Sequence, residues 1–276
     1  MRPVEFWKMS GSGNDFILID NRDGQVKNEE MGFFVERVCR RRESVGADGV
    51  IFIADSNEYD FVWRFFNLDG GEVEMCGNGS RCVARFAYMT GIAGSRMTFG
   101  TLAGPVSAEV RGRVVKVLIP PPKDITMDLD IEHKKGWQDV NFINTSVPHV
   151  VIRVEDISNH PVKEQGRAIR YHPCFKPEGT NVNFMMKSGH NLIDIRTYER
   201  GVEDETLACG TGAVACAMTA ALKGEVTSPV KTRTLGGDTL TIYFKKREDA
   251  SGFDEVWLEG NTTVVYKARL SDEALA

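Results

Sequence analysis

The sequence predicts an α+β fold of two pseudo-symmetric lobes, each a mainly antiparallel sheet wrapped around a central helix, with an active-site cleft between the lobes. Three observations predict it. A short cysteine- and glycine-rich segment occurs twice. Each copy opens a stretch with helix-forming composition. Short apolar runs and period-two stretches flank both copies, as strands of half-buried sheets require.

The repeat is Met75-Cys76-Gly77-Asn78-Gly79-Ser80-Arg81 against Ala208-Cys209-Gly210-Thr211-Gly212-Ala213-Val214, an offset of 133 positions. The same offset places Glu72 on Glu205, Phe65 on Tyr198, Val50-Ile51 on Asn183-Phe184, and Thr101-Leu102-Ala103-Gly104 on Thr234-Leu235-Gly236-Gly237. It also places Ile17-Leu18-Ile19 on Val150-Val151-Ile152. Matches at one offset in several places argue for an internal duplication. The first lobe is expected over residues 1–121, the second over 122–261, with a return strand from 262–276 joining the first.

Within the first lobe, Phe16-Ile17-Leu18-Ile19 and Val50-Ile51-Phe52-Ile53 read as buried strands bounded by Gly, Asp and Asn. Residues 59–67 are aromatic and β-branched and stop at the turn signal Asp69-Gly70-Gly71. Residues 79–88 suit a helix ending near Gly91, and 97–120 alternate as strands. Pro120-Pro121-Pro122 cannot donate to a ladder and marks the exit from this lobe. The second lobe repeats the pattern: strands near 147–154, 182–186 and 192–198, a helix over 212–222, then strands at 240–244 and 256–259. The last strand is expected at 263–267.

Composition bounds the function. The chain has 276 residues, 42% hydrophobic and 26% charged, which excludes a largely disordered protein. A net charge of -5 gives no pull toward nucleic acid. Arg40-Arg41-Arg42, flanked by Glu36 and Glu43, reads as a solvated helix face. The charged segment Met1-Arg2-Pro3-Val4-Glu5-Phe6-Trp7-Lys8 does not suit a secretory leader. The longest uncharged stretch, 206–222, is too short to span a bilayer comfortably. A soluble, cytoplasmic protein with no membrane or nucleic-acid partner is expected. Its six cysteines are too sparse for a disulfide scaffold and form no C-x-x-C pair. The histidines at 133, 149, 160, 172 and 190 lack metal-ligand spacing, and no dinucleotide fingerprint follows a strand.

The chemistry is expected where the two Cys-Gly-x-Gly turns start helices. The first amides of a helix have no internal partners, and the macrodipole adds positive character there. Such an end holds a carboxylate and stabilises a thiolate; a free thiol already titrates near ~8.5. Two such thiols related by a repeat suit inversion of a stereocentre: one removes a proton from one face, the other delivers one to the opposite face. The helix ends stabilise the electron-rich intermediate. No metal and no cofactor is needed. Cys39, Cys82, Cys174 and Cys216 lack partners at this offset and read as small buried residues.

The chain resembles the diaminopimelate epimerase family. The resemblance rests on Lys8-Met9-Ser10-Gly11-Ser12-Gly13-Asn14-Asp15-Phe16, Gly46-Ala47-Asp48-Gly49, Phe66-Asn67-Leu68-Asp69-Gly70 and Met75-Cys76-Gly77-Asn78-Gly79. In the second half it rests on Pro148-His149, Gly179-Thr180-Asn181-Val182-Asn183-Phe184, Tyr198-Glu199-Arg200-Gly201 and Glu205-Thr206-Leu207-Ala208-Cys209-Gly210-Thr211-Gly212. It covers essentially the whole chain. It implies a cofactor-independent isomerase that interconverts LL- and meso-2,6-diaminopimelate in lysine and peptidoglycan precursor synthesis, with Cys76 and Cys209 as the proton-exchanging pair.

The resemblance further implies that Asn14, Asn67 and Asn181 bind substrate, that Arg200 clamps the distal carboxylate, and that Glu199 sits near the reacting ammonium and Cys209. Gly77-Asn78 and Gly210-Thr211 match the turns that hold the reacting carboxylate, and His149 a histidine beside the pair. A homodimer is implied, with Tyr266 matching the family's dimer-forming tyrosine. Three departures stand out. Val147 occupies the place of an asparagine in many relatives, near but not matched by Asn144; Gly49 that of a glutamine in some; and one extra residue separates Glu199 from Cys209. The alternatives are a two-cysteine racemase for another amino acid, an amino-acid-binding protein without turnover, and a regulatory Cys76–Cys209 disulfide pair.

Overall fold

The computed structural model describes residues 4–131, 137, 139–248 and 252–275; the first three residues and His133 lie outside these. The chain forms two compact units, Met1–Val117 with Asn261–Ala276, and Leu118–Gly260. Among the described residues no helix is long and apolar enough to cross a membrane.

The chain begins with β1 (Glu5–Gly11), β2 (Asn14–Asp20), α1 (Met31–Val38), β3 (Gly49–Ala54), β4 (Phe61–Asn67) and β5 (Glu72–Val73). It continues through α2 (Gly77–Met89), β6 (Arg96–Thr101), β7 (Gly104–Arg111) and β8 (Val114–Ile119). Strands β1–β2, β3–β4, β6–β7 and β7–β8 pair antiparallel, while β2–β3 and β4–β6 pair parallel.

Strand alternation divides the side chains of this sheet between two faces. Ile17, Ile19, Val50, Phe52 and Phe66 pack with Met31, Phe34, Val35 and Val38 of α1. On the other face Ile51 and Trp63 lie under the first turn of α2, and Phe65 meets Phe16 edge-on. Helix α2 is buried along nearly its whole length.

The second run comprises β9 (Lys123–Thr126), β10 (Val140–Asn144), β11 (Pro148–Arg153), α3 (Val162–Arg170), β12 (Asn181–Gly189) and β13 (Leu192–Glu199). It continues with β14 (Asp204–Thr206), α4 (Gly210–Leu222), β15 (Val230–Arg233), β16 (Thr239–Lys246) and β17 (Phe253–Asn261). The pairing order repeats: β11–β12 parallel, β12–β13 antiparallel, β13–β15 parallel, β15–β16 and β16–β17 antiparallel. Helix α3 covers one face with Val162 and Ile169 against Val150, Val182, Phe184 and Tyr198. The Ala-rich α4, apolar all round and almost fully buried, takes the other. The final strand, β18 (Thr263–Arg269), pairs antiparallel with β1.

The structure differs from the sequence reading in several details. Both central helices begin two residues earlier, at Gly77 and Gly210, so the glycines are the first helical turn rather than a turn before it. The repeat slips by one residue in mid-copy. Phe16 opposes Gly49 as His149 opposes Asn181, and Ile51 opposes Phe65 as Asn183 opposes Thr197. Val50-Ile51 therefore corresponds to Val182-Asn183, and Phe65 to Thr197. The residue missing there is regained in the turn before β14. A one-residue slip exchanges the two faces of a strand, so this register decides which side chains lie beneath each helix.

Arg40-Arg41-Arg42 follows the end of α1 instead of lying on it. Cys39 is the C-cap of α1, and Arg42 stands beyond it in the left-handed region at φ 76°, which a continuing helix does not allow. Finally, Cys174 is exposed, whereas Cys39, Cys82 and Cys216 are buried.

Arg41 joins a charge cluster that ties β1, β2 and the loop before β3 together. Its Nη2 meets Asp15 at 2.5 Å and Asp48 at 2.8 Å, and Lys8 pairs with Asp15 at 2.7 Å. Burial works to raise the Asp15 pKa, but hydrogen bonds and charge from Arg41 and Lys8 outweigh it and hold this carboxyl below its usual range. A depressed carboxylate contributes stability that is present above its unfolded value, near ~3.9, and is lost as pH falls through the lower folded value. Thermal unfolding followed by circular dichroism should therefore show a melting temperature that drops below about pH 4. Asp15→Asn should lower it at neutral pH and flatten that acid drop; an unchanged acid drop would assign it to other carboxylates.

Candidate active site

Cys76 and Cys209 occupy the same structural position. Each is the N-cap of a 13-residue helix, with extended backbone at φ -146°, ψ 119° and φ -122°, ψ 113°. Each sulfur accepts a hydrogen bond from the amide three residues on, Gly79 or Gly212, at 3.4 Å in both cases. This is the role a serine or aspartate usually plays at a helix start. Neither helix has an acidic residue in its first turn, so the positive end is left for an outside anion. All six cysteines are thiols. Burial pushes Cys39 and Cys82 up to about 12 and raises Cys216 as well, which leaves these three inert.

Beside Cys76 the structure brings Asn14 and Asn78 into contact. Asn78, buried in the first turn of α2, donates through Nδ2 to Asn14 Oδ1 at 2.7 Å. Asn14, the first residue of β2, donates in turn to Asp48 Oδ2 at 2.9 Å. The fully buried Arg81 fixes the amide of Asn78 by donating to its Oδ1 at 2.8 Å, and it also reaches Ser12 Oγ at 2.9 Å. Both asparagines are thus held in one orientation by a cation at one end and a carboxylate at the other. Gly77 is buried as the first residue of α2, and Asn67 stands exposed at the end of β4.

Around Cys209 the arrangement is denser. Thr211 Oγ1 lies 3.5 Å from Cys209 Sγ and 3.0 Å from His149 Nε2. Glu199, at the end of β13, faces the thiol. Burial, then the Glu199 charge, push the Cys209 thiol up; hydrogen bonds from Thr211 and Gly212 work against them. His149, fully buried on β11, is held neutral: burial, then the Arg200 charge, lower it to about 3 despite the hydrogen bond with Asn183. Asn181, at the start of β12, donates to the Pro148 carbonyl at 3.1 Å and accepts from the Arg200 amide at 2.9 Å. The Arg200 guanidinium reaches the Glu178 carbonyl at 3.3 Å. Gly210 opens α4, and Thr145 donates to the Thr211 carbonyl at 3.1 Å.

Sequence reasoning assigned no role to Arg81, Asp48, Asn183 or Thr197. Asp48 and Asn183 lie inside motifs already singled out, and Arg81 stands two residues after the first Cys-Gly-x-Gly. Thr197 carries no signal until the strand register is known.

The family model described as Diaminopimelate epimerase matches residues 6–122 and 141–256. This chain belongs to the diaminopimelate epimerase family. The diaminopimelate epimerase of Aquifex aeolicus (strain VF5) is 50% identical over 99% of both chains. That of Hydrogenobaculum sp. (strain Y04AAS1) is 46% identical over 96% of this chain and 98% of its own.

Among solved structures, a phenazine biosynthesis protein of the PhzF family from Bacillus anthracis superposes with a TM-score of 0.75 at 14% identity, covering 98% of this chain and all (100%) of that one. A probable proline racemase from Agrobacterium radiobacter K84 gives 0.69 at 14%, over 99% and 96%. This chain therefore shares its α+β architecture with proteins of quite different sequence.

Two departures from the diaminopimelate epimerase pattern have a structural setting. Val147 precedes β11 and offers no side-chain hydrogen bond. Gly49 has no room for a side chain: a Cβ there would stand 2.4 Å from the Phe66 carbonyl oxygen. Tyr266 lies on β18, partly exposed, with its ring edge-on to Phe6.

Proposed function

We propose that this chain interconverts LL- and meso-2,6-diaminopimelate by cofactor-independent, two-base proton transfer, with Cys76 and Cys209 as the two bases. The observation that supports this most directly is the shared N-cap geometry of the two sulfurs. One thiolate removes the α-hydrogen, forming S–H and leaving the electron pair on carbon. The other thiol gives its proton to the opposite face, and the pair ends with its protonation exchanged. The reacting carboxylate takes up charge as the α-proton leaves. The helix starts at Gly77-Asn78 and Gly210-Thr211 hold it where backbone amides stabilise that charge without reorganising.

Glu199 lies beside Cys209 and takes part in holding its proton. His149, neutral, acts on the same sulfur through Thr211. Asn14, Asn67, Asn181 and the Glu199 carboxylate provide the donors and acceptors that an ammonium and a carboxylate require. Arg200 supplies a planar cation for the distal carboxylate. A reducing cytoplasm suits a pair of working thiols.

The test is incubation of LL-diaminopimelate with the enzyme and a reductant in deuterated water, followed by chiral chromatography and mass spectrometry. Meso product carrying one deuterium at the inverted centre is expected. Unchanged LL isomer without deuterium would end this reading. Arg200→Lys should raise KM for diaminopimelate about 10- to 100-fold with a smaller effect on kcat, since one charged hydrogen-bonding geometry is lost. If wild type and variant handled monocarboxylic amino acids better than diaminopimelate, the racemase alternative would take its place.

A further inference from the structure

Below the first turn of α4 lies a chain of polar side chains that runs from Thr197 and Asn183, which the reading above does not use, through His149 to Thr211. Thr197 Oγ1 donates to Asn183 Oδ1 at 2.9 Å. The Asn183 Nδ2 group donates to the Val150 carbonyl at 2.9 Å and lies 3.0 Å from His149 Nδ1. His149 Nε2 lies 3.0 Å from Thr211 Oγ1, which lies 3.5 Å from Cys209 Sγ. Thr197, Asn183 and His149 are all buried.

The direction of every bond in this chain is fixed by its far end. A carbonyl oxygen only accepts, so Val150 compels the Asn183 amide to turn its NH2 toward it, and Thr197 meets the Asn183 oxygen on the other side. The second N–H of the same NH2 then points at His149 Nδ1, which must accept. A neutral imidazole that accepts at Nδ1 carries its proton on Nε2. That proton occupies a lone pair of Thr211 Oγ1, which frees the threonine hydrogen for Cys209 Sγ, 3.5 Å away.

We propose that Thr197, Asn183, His149 and Thr211 form a directed hydrogen-bond relay that ends in donation from Thr211 O–H to Cys209 Sγ. The relay favours the Cys209 thiolate and makes the two thiols chemically unequal, with Asn183 as the positioning residue that sets the direction. It deepens the two-thiol reading above and rests on it for its catalytic meaning.

Beneath α2 the described residues differ. The strand registers put Phe16, Ile51 and Phe65 where His149, Asn183 and Thr197 stand. Asn78, the counterpart of Thr211, is engaged by Asn14 and Arg81 instead. The groups that face Cys209 within its own unit are Glu199 from β13, Thr211 and Gly212 from α4, and His149 through Thr211, with Arg200 acting on the imidazole. Glu199 disfavours the thiolate; the relay opposes it. Together they poise a sulfur that must both give and take a proton.

The test uses Asn183→Asp, close in shape but with an acceptor in place of the NH2. A carboxylate there draws the His149 proton to Nδ1. Nε2 then becomes an acceptor, takes the Thr211 hydrogen, and strips the sulfur of that donor. Alkylation of the intact enzyme by iodoacetamide, resolved at Cys76 and Cys209 by peptide mass mapping across pH, reads each thiolate separately. The pH midpoint is the quantity compared, so a change in access to the buried sulfur drops out. The Cys209 midpoint should rise by about one unit, a tenfold loss of thiolate at fixed pH, as expected for one lost donor to a charged acceptor. The Cys76 midpoint should stay put. Thr197→Val should shift Cys209 the same way by less, and Thr197→Ser should restore it.

Nitrogen-15 spectra of the wild-type protein should show a protonated Nε2 and a bare Nδ1 at His149, a result independent of whether any variant folds. A bare Nε2 in the wild type, or a Cys209 midpoint unmoved in Asn183→Asp, would overturn the relay. Neither readout requires turnover, so a protein that failed to act on diaminopimelate would still decide the point.

Discussion

Cys76→Ala and Cys209→Ala should each lose interconversion of the diaminopimelate isomers by about 10²- to 10⁴-fold, the scale of a positioned acid or base at the reacting atom. The two losses should not look alike under solvent exchange. With one base left, the enzyme can still remove the α-hydrogen from the face that this base serves and return a deuterium to the same face. Each variant should therefore exchange the α-hydrogen of one isomer without inverting it, and the two variants should choose opposite isomers. Proton NMR of each isomer in deuterated water, paired with chiral chromatography, measures both quantities. Full interconversion in either variant would remove that thiol from the mechanism; exchange of the same isomer by both would contradict bases on opposite faces. Each variant also loses one sulfur-to-amide cap, so the fold should weaken by about 1 kcal/mol at most.

That pair of cysteines was legible in the sequence because duplication writes the same local chemistry twice. The strands around it were legible for the same reason, reinforced by apolar runs such as Ile17-Leu18-Ile19 and Val50-Ile51-Phe52-Ile53. The starts of the two central helices were not. Gly77-Asn78-Gly79 reads as turn chemistry on propensity, yet the extended Cys76 and its sulfur cap make these residues the first turn of α2. Helix α3 was hidden by its mostly polar sequence and by Gly166, which has no room for a side chain against Tyr198. The Arg40-Arg41-Arg42 triplet looked like a solvated helix face because charge runs usually are; the pairing of Arg41 with Asp15 depends on a residue 26 positions away.

Part of the candidate site could not be read at all without the register. A constant offset put Asn183 opposite Val50 and left it looking like a strand residue of no account. The one-residue slip turns it instead to the face under α4, together with Thr197. The two halves then prove to differ in the side chains that lie beneath the two thiols. Beneath Cys76 the sheet offers Phe16, Ile51 and Phe65; beneath Cys209 it offers His149, Asn183 and Thr197. Buried polar groups are costly unless their bonds are made. In the second half each finds a partner: Thr197 with Asn183, Asn183 with Val150 and His149, His149 with Thr211. Such a set is retained as a unit or not at all, because removing one member leaves its neighbours buried and unsatisfied.

The same asymmetry should appear as a large difference between two otherwise identical substitutions, Gly212→Ala and Gly79→Ala. Both glycines sit in the first turn of a central helix and donate to the capping sulfur. Away from other contacts, alanine would favour either helix by up to about 1 kcal/mol. At Gly79 an added Cβ meets the Ile51 Cδ1 atom at 3.2 Å, the far end of a side chain that can turn aside. Gly79→Ala should therefore fold with a stability within about 1 kcal/mol of wild type. At Gly212 the added Cβ would stand 2.2 Å from Asn183 Oδ1. That oxygen cannot retreat, because Thr197 donates to it and the other end of the amide is held by Val150 and His149. Relief requires either breaking these bonds or moving the start of α4 with Cys209 on it. A loss of about 3 kcal/mol or more is expected, from overpacking together with stranded buried polar groups. Urea unfolding of the two variants measures the contrast. If Gly212→Ala were as stable as Gly79→Ala, the close approach of Asn183 to the helix, and with it the rigid seat of Cys209, would be wrong.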